Sequence, residues 1–183
     1  MRLETERLLI REWREADVPL YAAIVADPVV RRFFPEIGTL ADTRAAIDRA
    51  GERLLVFGYS MLAVERKADG ALLGLVGLAP LGDELKAIIP DAPPAEIGWQ
   101  LGQRYWGQGY APEAARAWLD YGFREIGLPQ IGAITYEGNL PSRRVMEKIG
   151  MVHDAAARFE HPAVPVGHHL RPHVLYRISP GRT

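Results

Sequence analysis

Cysteine is absent from this 183-residue chain. Disulfide bonds, a cysteine nucleophile and zinc sites built on thiolates are excluded with it. No stretch approaches the ~20 consecutive apolar residues that a membrane-spanning helix needs. The opening Met1-Arg-Leu-Glu-Thr-Glu-Arg-Leu-Leu-Ile-Arg-Glu-Trp13 alternates charged and apolar residues and lacks the apolar run of a secretory signal. Charge bias is missing too: 22 basic and 23 acidic residues leave a formal net charge of -1. The basic footprint of a nucleic-acid binder is therefore lacking, and neither direct nucleic-acid binding nor membrane contact is expected. Internal repeats and low-complexity segments are also lacking. Together these absences predict a cytoplasmic protein.

What remains is ordinary globular material, 48% hydrophobic and 25% charged. A chain of this length buries roughly 70% of its unfolded surface, enough for one self-sufficient domain over residues 1–183. A first strand is expected from Leu3 to Arg11. Asp17 stands where a helix N-cap belongs, with Pro19 in the first turn and Asp27-Pro28 ending the element. A second helix is expected from Thr39 to Arg53, then strands Tyr59–Arg66 and Leu72–Leu78 joined by an Ala68-Asp69-Gly70 turn. Residues 80–95, with four prolines, are read as a long surface loop. A strand from Glu96 to Leu101, a Gly-rich turn and a helix with a clean apolar stripe up to Ile126 follow. The remainder reads as a strand Ile131–Glu137, a helix Ser142–Ile149 closed by Gly150, and strands Val152–Phe159 and Val174–Ser179. The pattern is α/β (α+β), a mixed sheet with helices on its faces.

The Gly-rich turn is the most informative segment. It reads Arg104-Tyr-Trp106-Gly107-Gln108-Gly109-Tyr110-Ala111 and sits between a strand and a helix. A helix N-terminus offers unpartnered N–H groups and a dipole that favours anions. Gly107 and Gly109 let the backbone approach a ligand. No Ser, Thr, Asp or Asn precedes Pro112 to cap the helix, so a bound phosphate fits the vacancy. A tight turn with glycines for geometry alone is the plain alternative. Tyr110-Ala111 stands where a P-loop needs Lys-Ser or Lys-Thr, and Pro112 stands where a dinucleotide fingerprint needs Gly. A nucleotide-phosphate enzyme is therefore ranked last.

The Arg104-x-x-Gly107-x-Gly109 pattern resembles the acetyl-CoA signature of the GNAT superfamily. The preceding Glu96-Ile-Gly-Trp-Gln-Leu101 is similar to that family's fourth strand. Asn139-Leu-Pro-Ser142 and the closing Gly150-Met151 resemble its fifth-strand exit and fourth helix. Glu4-Thr-Glu-Arg-Leu-Leu-Ile-Arg11 is similar to the start of the ribosomal-protein N-terminal acetyltransferases, the Rim-type branch. The matches span most of the chain. The resemblance implies a mostly antiparallel sheet of about six or seven strands, splayed between the fourth and fifth, with helices on both faces. It also implies acetyl-CoA as co-substrate, no metal, and transfer of acetyl to a primary amine, either a protein N-terminus or a small amine, by direct attack in a ternary complex.

On that resemblance the pantetheine pairs with the Glu96–Leu101 strand and the pyrophosphate sits on residues 104–111. The Leu101 N–H then faces the thioester carbonyl and stabilises the developing oxyanion. The attacking amine must lose a proton, since a lysine-type amine has a pKa near 10.4 and an α-amine about 7.7–8.0. Glu96 is the candidate base, weighed equally against a surface carboxylate paired with a neighbouring arginine. Glu137 is the alternative base. Many relatives place a Tyr seven positions after the Asn to protonate the leaving thiolate, but here that position is Met146. Ser142 is then the donor, or a helix-opening serine, or both. Asn139 caps the helix and contacts the pantetheine.

Phe33 and Phe34 follow the first helix, where relatives build the acceptor wall, and are substrate candidates. Trp99 and Trp118 read as core. His161, His168, His169 and His173 crowd the late irregular segment. Their spacing matches no helical ligand pair, and they are read as solvated or locally bonded groups shaping the acceptor pocket. A non-catalytic acyl-CoA sensing module on the same fold stays open as the second reading. The acceptor's identity, the length of the acyl group and the choice between monomer and homodimer are also open.

Overall fold

The computed structural model describes residues 1–181. Its strands are β1 (Arg2–Glu4), β2 (Leu8–Arg11), β3 (Met61–Arg66), β4 (Leu72–Pro80), β5 (Ala95–Leu101), β6 (Ile131–Tyr136), β7 (Val152–Glu160) and β8 (Pro172–Ile178). The helices are α1 (Asp17–Val25), α2 (Pro28–Arg31), α3 (Leu40–Phe57), α4 (Asp83–Ile88), α5 (Tyr110–Arg124) and α6 (Leu140–Lys148). One sheet runs β1-β2-β3-β4-β5-β6-β8-β7. Every neighbouring pair is antiparallel except β5 and β6. No helix among the described residues is long and apolar enough to cross a membrane.

The sheet is mixed and mostly antiparallel, as expected, but has eight strands among the described residues. The anticipated Leu3–Arg11 strand breaks at residues 5–7 and folds back on itself, pairing Leu3 with Ile10. The break is fixed from a distance. Glu113 of α5 accepts hydrogen bonds from the Thr5 hydroxyl at 2.5 Å and from the Arg7 N–H at 3.0 Å. The expected loop over 80–95 contains α4, whose Leu85 is buried together with Ile89, Ala157 and Leu175. Asp27 does not merely end the first helix: its carboxylate accepts from the Val29 N–H at 2.8 Å and caps α2. The second expected helix is α3. Thr39 and Asp42 close a capping box at its start, and it runs on to Phe57 before Gly58 turns left-handed at φ 76°.

Two apolar layers sandwich the sheet. On one face α5 buries Trp118 completely against Leu62, Val76, Leu78 and Ile97. The Trp118 indole N–H donates to the Val76 carbonyl at 3.0 Å. On the other face Tyr21 and Val25 of α1 pack on Ala63 and Leu72. In β5 the alternation places Ile97 in the α5 layer and turns Glu96, Gly98 and Gln100 to the α1 side.

Asp17 is not the N-cap of α1. Ala16 holds that position and makes no side-chain cap bond. The Asp17 carboxylate instead receives Arg11 in a bidentate pair, Nη1 at 2.6 Å and Nη2 at 2.9 Å, plus the Arg14 N–H at 2.8 Å. Arg11 also donates through Nε to Glu65 at 2.8 Å. Both members of the pair are buried, so β2, β3 and the start of α1 are joined by charges shielded from water. Burial pushes the Asp17 carboxyl up most strongly, but the Arg11 guanidinium, the Arg14 N–H and the charges of both arginines together outweigh it and hold the carboxyl below its ordinary value. A carboxyl depressed in the folded state stabilises it above the unfolded pKa, and that contribution is lost as pH falls through the folded value. Asp17→Asn should therefore lose about 3 kcal/mol in urea unfolding at pH 7, because it takes from a buried guanidinium its bidentate carboxylate and leaves only Glu65. Its deficit should begin to shrink as pH falls below about 4, the carboxyl's ordinary value, and should vanish only below the depressed folded value, where the wild-type carboxyl is neutral too. An equal deficit at both pH values would show that the charge is not the source.

Candidate functional site

β5 and β6 are parallel and pair only at Ala95↔Ile131 and Glu96↔Gly132. Beyond Glu96 the strands part, while β4 keeps pairing with β5 as far as Gly74↔Leu101. The wedge opens into a cleft of about 650 Å³ that reaches from the Gly107–Pro112 turn to the end of α2. Sites on open α/β sheets commonly lie at such a divergence.

At one end of the cleft is the Gly-rich turn. Gly107 and Gly109 adopt φ of 74° and 82°, a conformation that costs other residues roughly 1–2 kcal/mol. The backbone amides of Gly107, Gln108, Gly109, Tyr110 and Ala111 find no hydrogen-bond acceptor among the described residues. Gly109 caps α5 without a side-chain bond, so these amides gather at an uncapped helix N-terminus. Arg7 braces the turn from behind. It pairs with Glu113 at 2.6 Å, donates to the Gln108 carbonyl at 3.0 Å and lies 4.6 Å from the Tyr110 ring. The Gln108 side chain folds back onto the Arg104 carbonyl at 2.8 Å, and the exposed Arg104 guanidinium lies over the Tyr105 ring. Trp106 ties the turn to β5, its indole N–H donating to the Leu101 carbonyl at 2.8 Å.

The floor comes from β5. Gly102 N–H donates to the Leu73 carbonyl at 2.9 Å. Hydrogen-bonded and non-bonded pairs alternate in an antiparallel ladder, so Leu101, opposite Gly74, turns its N–H away from β4 and toward the wedge. Gly74 is needed here, since a Cβ would lie 2.1 Å from the Gln100 carbonyl oxygen. Glu96 lines the cleft half-buried and meets no ion-pair or hydrogen-bond partner among the described residues. Burial pushes its carboxyl up to about 7, against a weaker pull from the charge of Arg53. The expectation of a surface carboxylate paired with an arginine does not describe it. Glu137 does fit that description: it pairs with Arg158 at 2.7 Å and does not line the cleft.

The far wall comes from the β6–α6 junction. Asn139 caps α6, accepting from the Ser142 N–H at 3.3 Å and donating to the Thr135 hydroxyl at 2.9 Å. With the cap supplied by Asn139, the Ser142 hydroxyl is left without a protein partner among the described residues, and it lines the cleft. Met146 is buried in the core.

Phe33 and Phe34 both line the cleft, each with an arginine over its ring: Arg32 at 4.7 Å and Arg31 at 3.9 Å. Arg32 also lies 4.8 Å from the Trp106 ring, so α2 reaches across to the Gly-rich turn. Phe33 neighbours Tyr136 at 6.0 Å, and His169 meets Tyr136 edge-on. The late loop thus touches this wall. His161, His168 and His173 make local backbone hydrogen bonds through Nδ1, and burial pushes His173 down to about 4.

Sequence reasoning missed Tyr21 and Gln100. The Tyr21 hydroxyl donates to the Gln100 side-chain oxygen at 2.7 Å and fixes β5 beneath α1. The outward period of β5 flagged Gln100 as facing Glu96's side, but no pattern pairs it with a tyrosine 79 residues earlier.

Residues 7–152 match the family model described as acetyltransferase (GNAT) domain. YkkB of Bacillus subtilis is 34% identical over 86% of this chain and 88% of its own length. The N-acetyltransferase YnaD of the same organism is 34% identical over 82% of each chain. The crystal structure of a GNAT-family acetyltransferase from Bacillus anthracis superposes with a TM-score of 0.79 at 31% identity, covering 98% of both chains. The geometry of the turn makes a direct prediction. Gly109→Ala places a side chain at φ 82° and 3.4 Å from the Arg7 guanidinium. The alanine turn relaxes out of this conformation when empty and must regain it to hold an anion, so coenzyme A affinity should fall about tenfold in calorimetry, the equivalent of ~1.4 kcal/mol. Unchanged affinity would mean that the turn does not hold the pyrophosphate.

Proposed function

The chain belongs to the acetyltransferase (GNAT) family, and from that membership we propose that it moves an acetyl group from acetyl-CoA to a primary amine by direct attack in a ternary complex. The acceptor is a protein N-terminal α-amine or the amine of a small molecule. The whole chain serves this as one acyl-CoA N-acyltransferase domain. The observation that carries the reading is the row of unpartnered amides from Gly107 to Ala111 at the end of the open β5–β6 wedge. A pyrophosphate on that row directs the pantetheine along the free edge of β5, toward Leu101 and Glu96. Arg31, Arg32, Arg144 and Lys148 line the same cleft, which suits a polyanionic cofactor.

In this mechanism the amine nitrogen attacks the thioester carbon, and the carbonyl oxygen takes up negative charge. The Leu101 N–H hydrogen-bonds that oxygen. Glu96 accepts the proton lost by the amine, directly or through one water. As the C–S bond breaks, the Ser142 hydroxyl hydrogen-bonds the departing thiolate, which takes its proton from solvent. Asn139 holds Ser142 in place by capping α6. Phe33 and Phe34 form the acceptor end, and Trp106 belongs to the turn that holds the cofactor. A base with pKa near 7 suits this chemistry, because it is ionised at the pH where an α-amine begins to deprotonate.

The sign of the Glu96 shift gives two measurements. A raised carboxyl binds a proton in the folded state that the unfolded chain would release, so it costs stability as pH rises from its ordinary value through 7. Glu96→Gln should therefore unfold at a higher temperature than wild type at pH 8. In thiol-release assays kcat/KM should rise through two ionisations in wild type, one near 7 and one at the acceptor amine. Glu96→Gln should keep only the second and lose about a hundredfold in rate. Ser142→Ala should lower kcat about tenfold, a hydrogen-bond-sized effect, with acetyl-CoA affinity intact. Acetyl-CoA binding without thiol release on any amine would contradict the proposal and favour a sensing module.

A further inference from the structure

A second, smaller cavity of about 120 Å³ lies between α3 and the sheet. Tyr21, Met61 and Leu75 line both it and the cleft, so the two spaces adjoin. Two features of its wall and one beside it bear on what it could hold. Ser60 has no exposed surface, yet its hydroxyl has no hydrogen-bond partner. Arg49 and Arg53, one turn apart on α3 and both reaching solvent, line the cavity, and neither meets a carboxylate among the described residues. Next to it, the Gln100 amide uses its oxygen on Tyr21 and leaves a buried N–H₂ without an acceptor. The one other polar group of the wall, the Trp13 indole N–H, is already used on the Met61 carbonyl at 2.9 Å.

Unpaired guanidinium groups and a buried donor without an acceptor are the complement of an oxyanion. The size admits a carboxylate on a short stem but excludes a peptide or nucleotide, whose sites run to roughly 300 Å³ or more. The position adds a constraint. The cavity meets the cleft at Tyr21, Met61 and Leu75, and Glu96 lines that same cleft, so an anion held in the cavity leaves an amine a few bonds away on the cleft side. We propose that the cavity lined by Ser60, Arg49 and Arg53 is a subsite for a carboxylate carried by the acceptor. The acceptor class is then an amine with a carboxylate a few bonds from its nitrogen: a free amino acid, or a peptide beginning with Asp or Glu. This rests on the acetyl-transfer reading and narrows it.

The test uses paired acceptors at saturating acetyl-CoA and pH 9, where Glu96 is ionised with or without Arg53. One pair is an amino acid and its amide; the other is peptides beginning with Asp or Glu and their Asn or Gln counterparts. In wild type the acid member of the preferred pair should show a KM about tenfold lower, a charge-assisted hydrogen bond's worth. Whichever pair shows it tells a free amino acid from an acidic peptide. Arg49→Gln/Arg53→Gln and Ser60→Ala should abolish the preference while leaving kcat on the neutral member and acetyl-CoA affinity unchanged. Ser60→Ala should also melt no lower than wild type, since it removes an unsatisfied buried hydroxyl. Calorimetric titration of the protein–CoA complex with glutamate and with an Asp-initial peptide reads the subsite without turnover. Binding of either acid lost in Arg49→Gln/Arg53→Gln supports the subsite even if no amine releases thiol, an outcome that would sink only the transfer reading. Equal KM within both pairs, or variants that weaken acid and neutral members alike, would overturn the subsite and leave acetyl transfer standing.

Discussion

The pairing of β5 with β6 ends at Glu96↔Gly132, and the site is organised around that ending. A parallel ladder that continued would satisfy the edge of β5 and close the wedge. Because it stops, Leu101 keeps a free N–H, the cleft can admit an extended ligand arm, and Glu96 sits where the two strands part. The crossover from β5 to β6 runs through α5, whose uncapped N-terminus lies at the mouth of the same wedge. One topological feature thus supplies the free strand edge and a row of unpartnered amides on adjacent stretches of chain.

Holding the wedge open depends on contacts that lie outside it. Arg11, Asp17 and Glu65 fix α1 to β2 and β3, and Tyr21 of α1 anchors Gln100 on β5. Arg7 and Glu113 fix the β1–β2 turn to α5 and so brace the Gly-rich turn. Arg11 and Asp17 are shielded from water, and Arg11 makes four hydrogen bonds there, so removing one partner of that pair costs more than breaking an exposed pair. Rigidity on the strand side contrasts with the unfilled polar groups facing the two cavities: Glu96, Ser142, Ser60 and the Gln100 amide. A folded protein seldom leaves buried polar atoms unpaired, as Ser60 and the Gln100 amide are here.

Much of this was legible in the sequence where the signal is local. The 96–101 alternation, the glycines at 107 and 109, Asn139 as cap and Gly150 as terminator depend on residue type and spacing alone, and each stands in the expected element. Non-local causes hid the rest. The strand break at residues 5–7 is set by Glu113, more than a hundred positions away. Asp17 has the composition of a cap, but the pull of Arg11 decides its role. The helix α4 is short and lies between prolines, so its pattern is lost within a loop-like stretch. The Ser60 cavity arises only where α3 crosses the sheet, and neither serine nor arginine announces such a crossing.

The central claim is that the 107–111 amides hold the pyrophosphate while the Leu101 N–H meets the thioester carbonyl. Amide chemical shifts recorded on ¹⁵N-labelled protein, titrated in parallel with coenzyme A and with acetyl-CoA, test it most directly. The account predicts that Gly107 to Ala111 move with both ligands and that Leu101 moves further with acetyl-CoA. Saturating binding that leaves the turn's amides in place, or a Leu101 response identical for the two ligands, would contradict it.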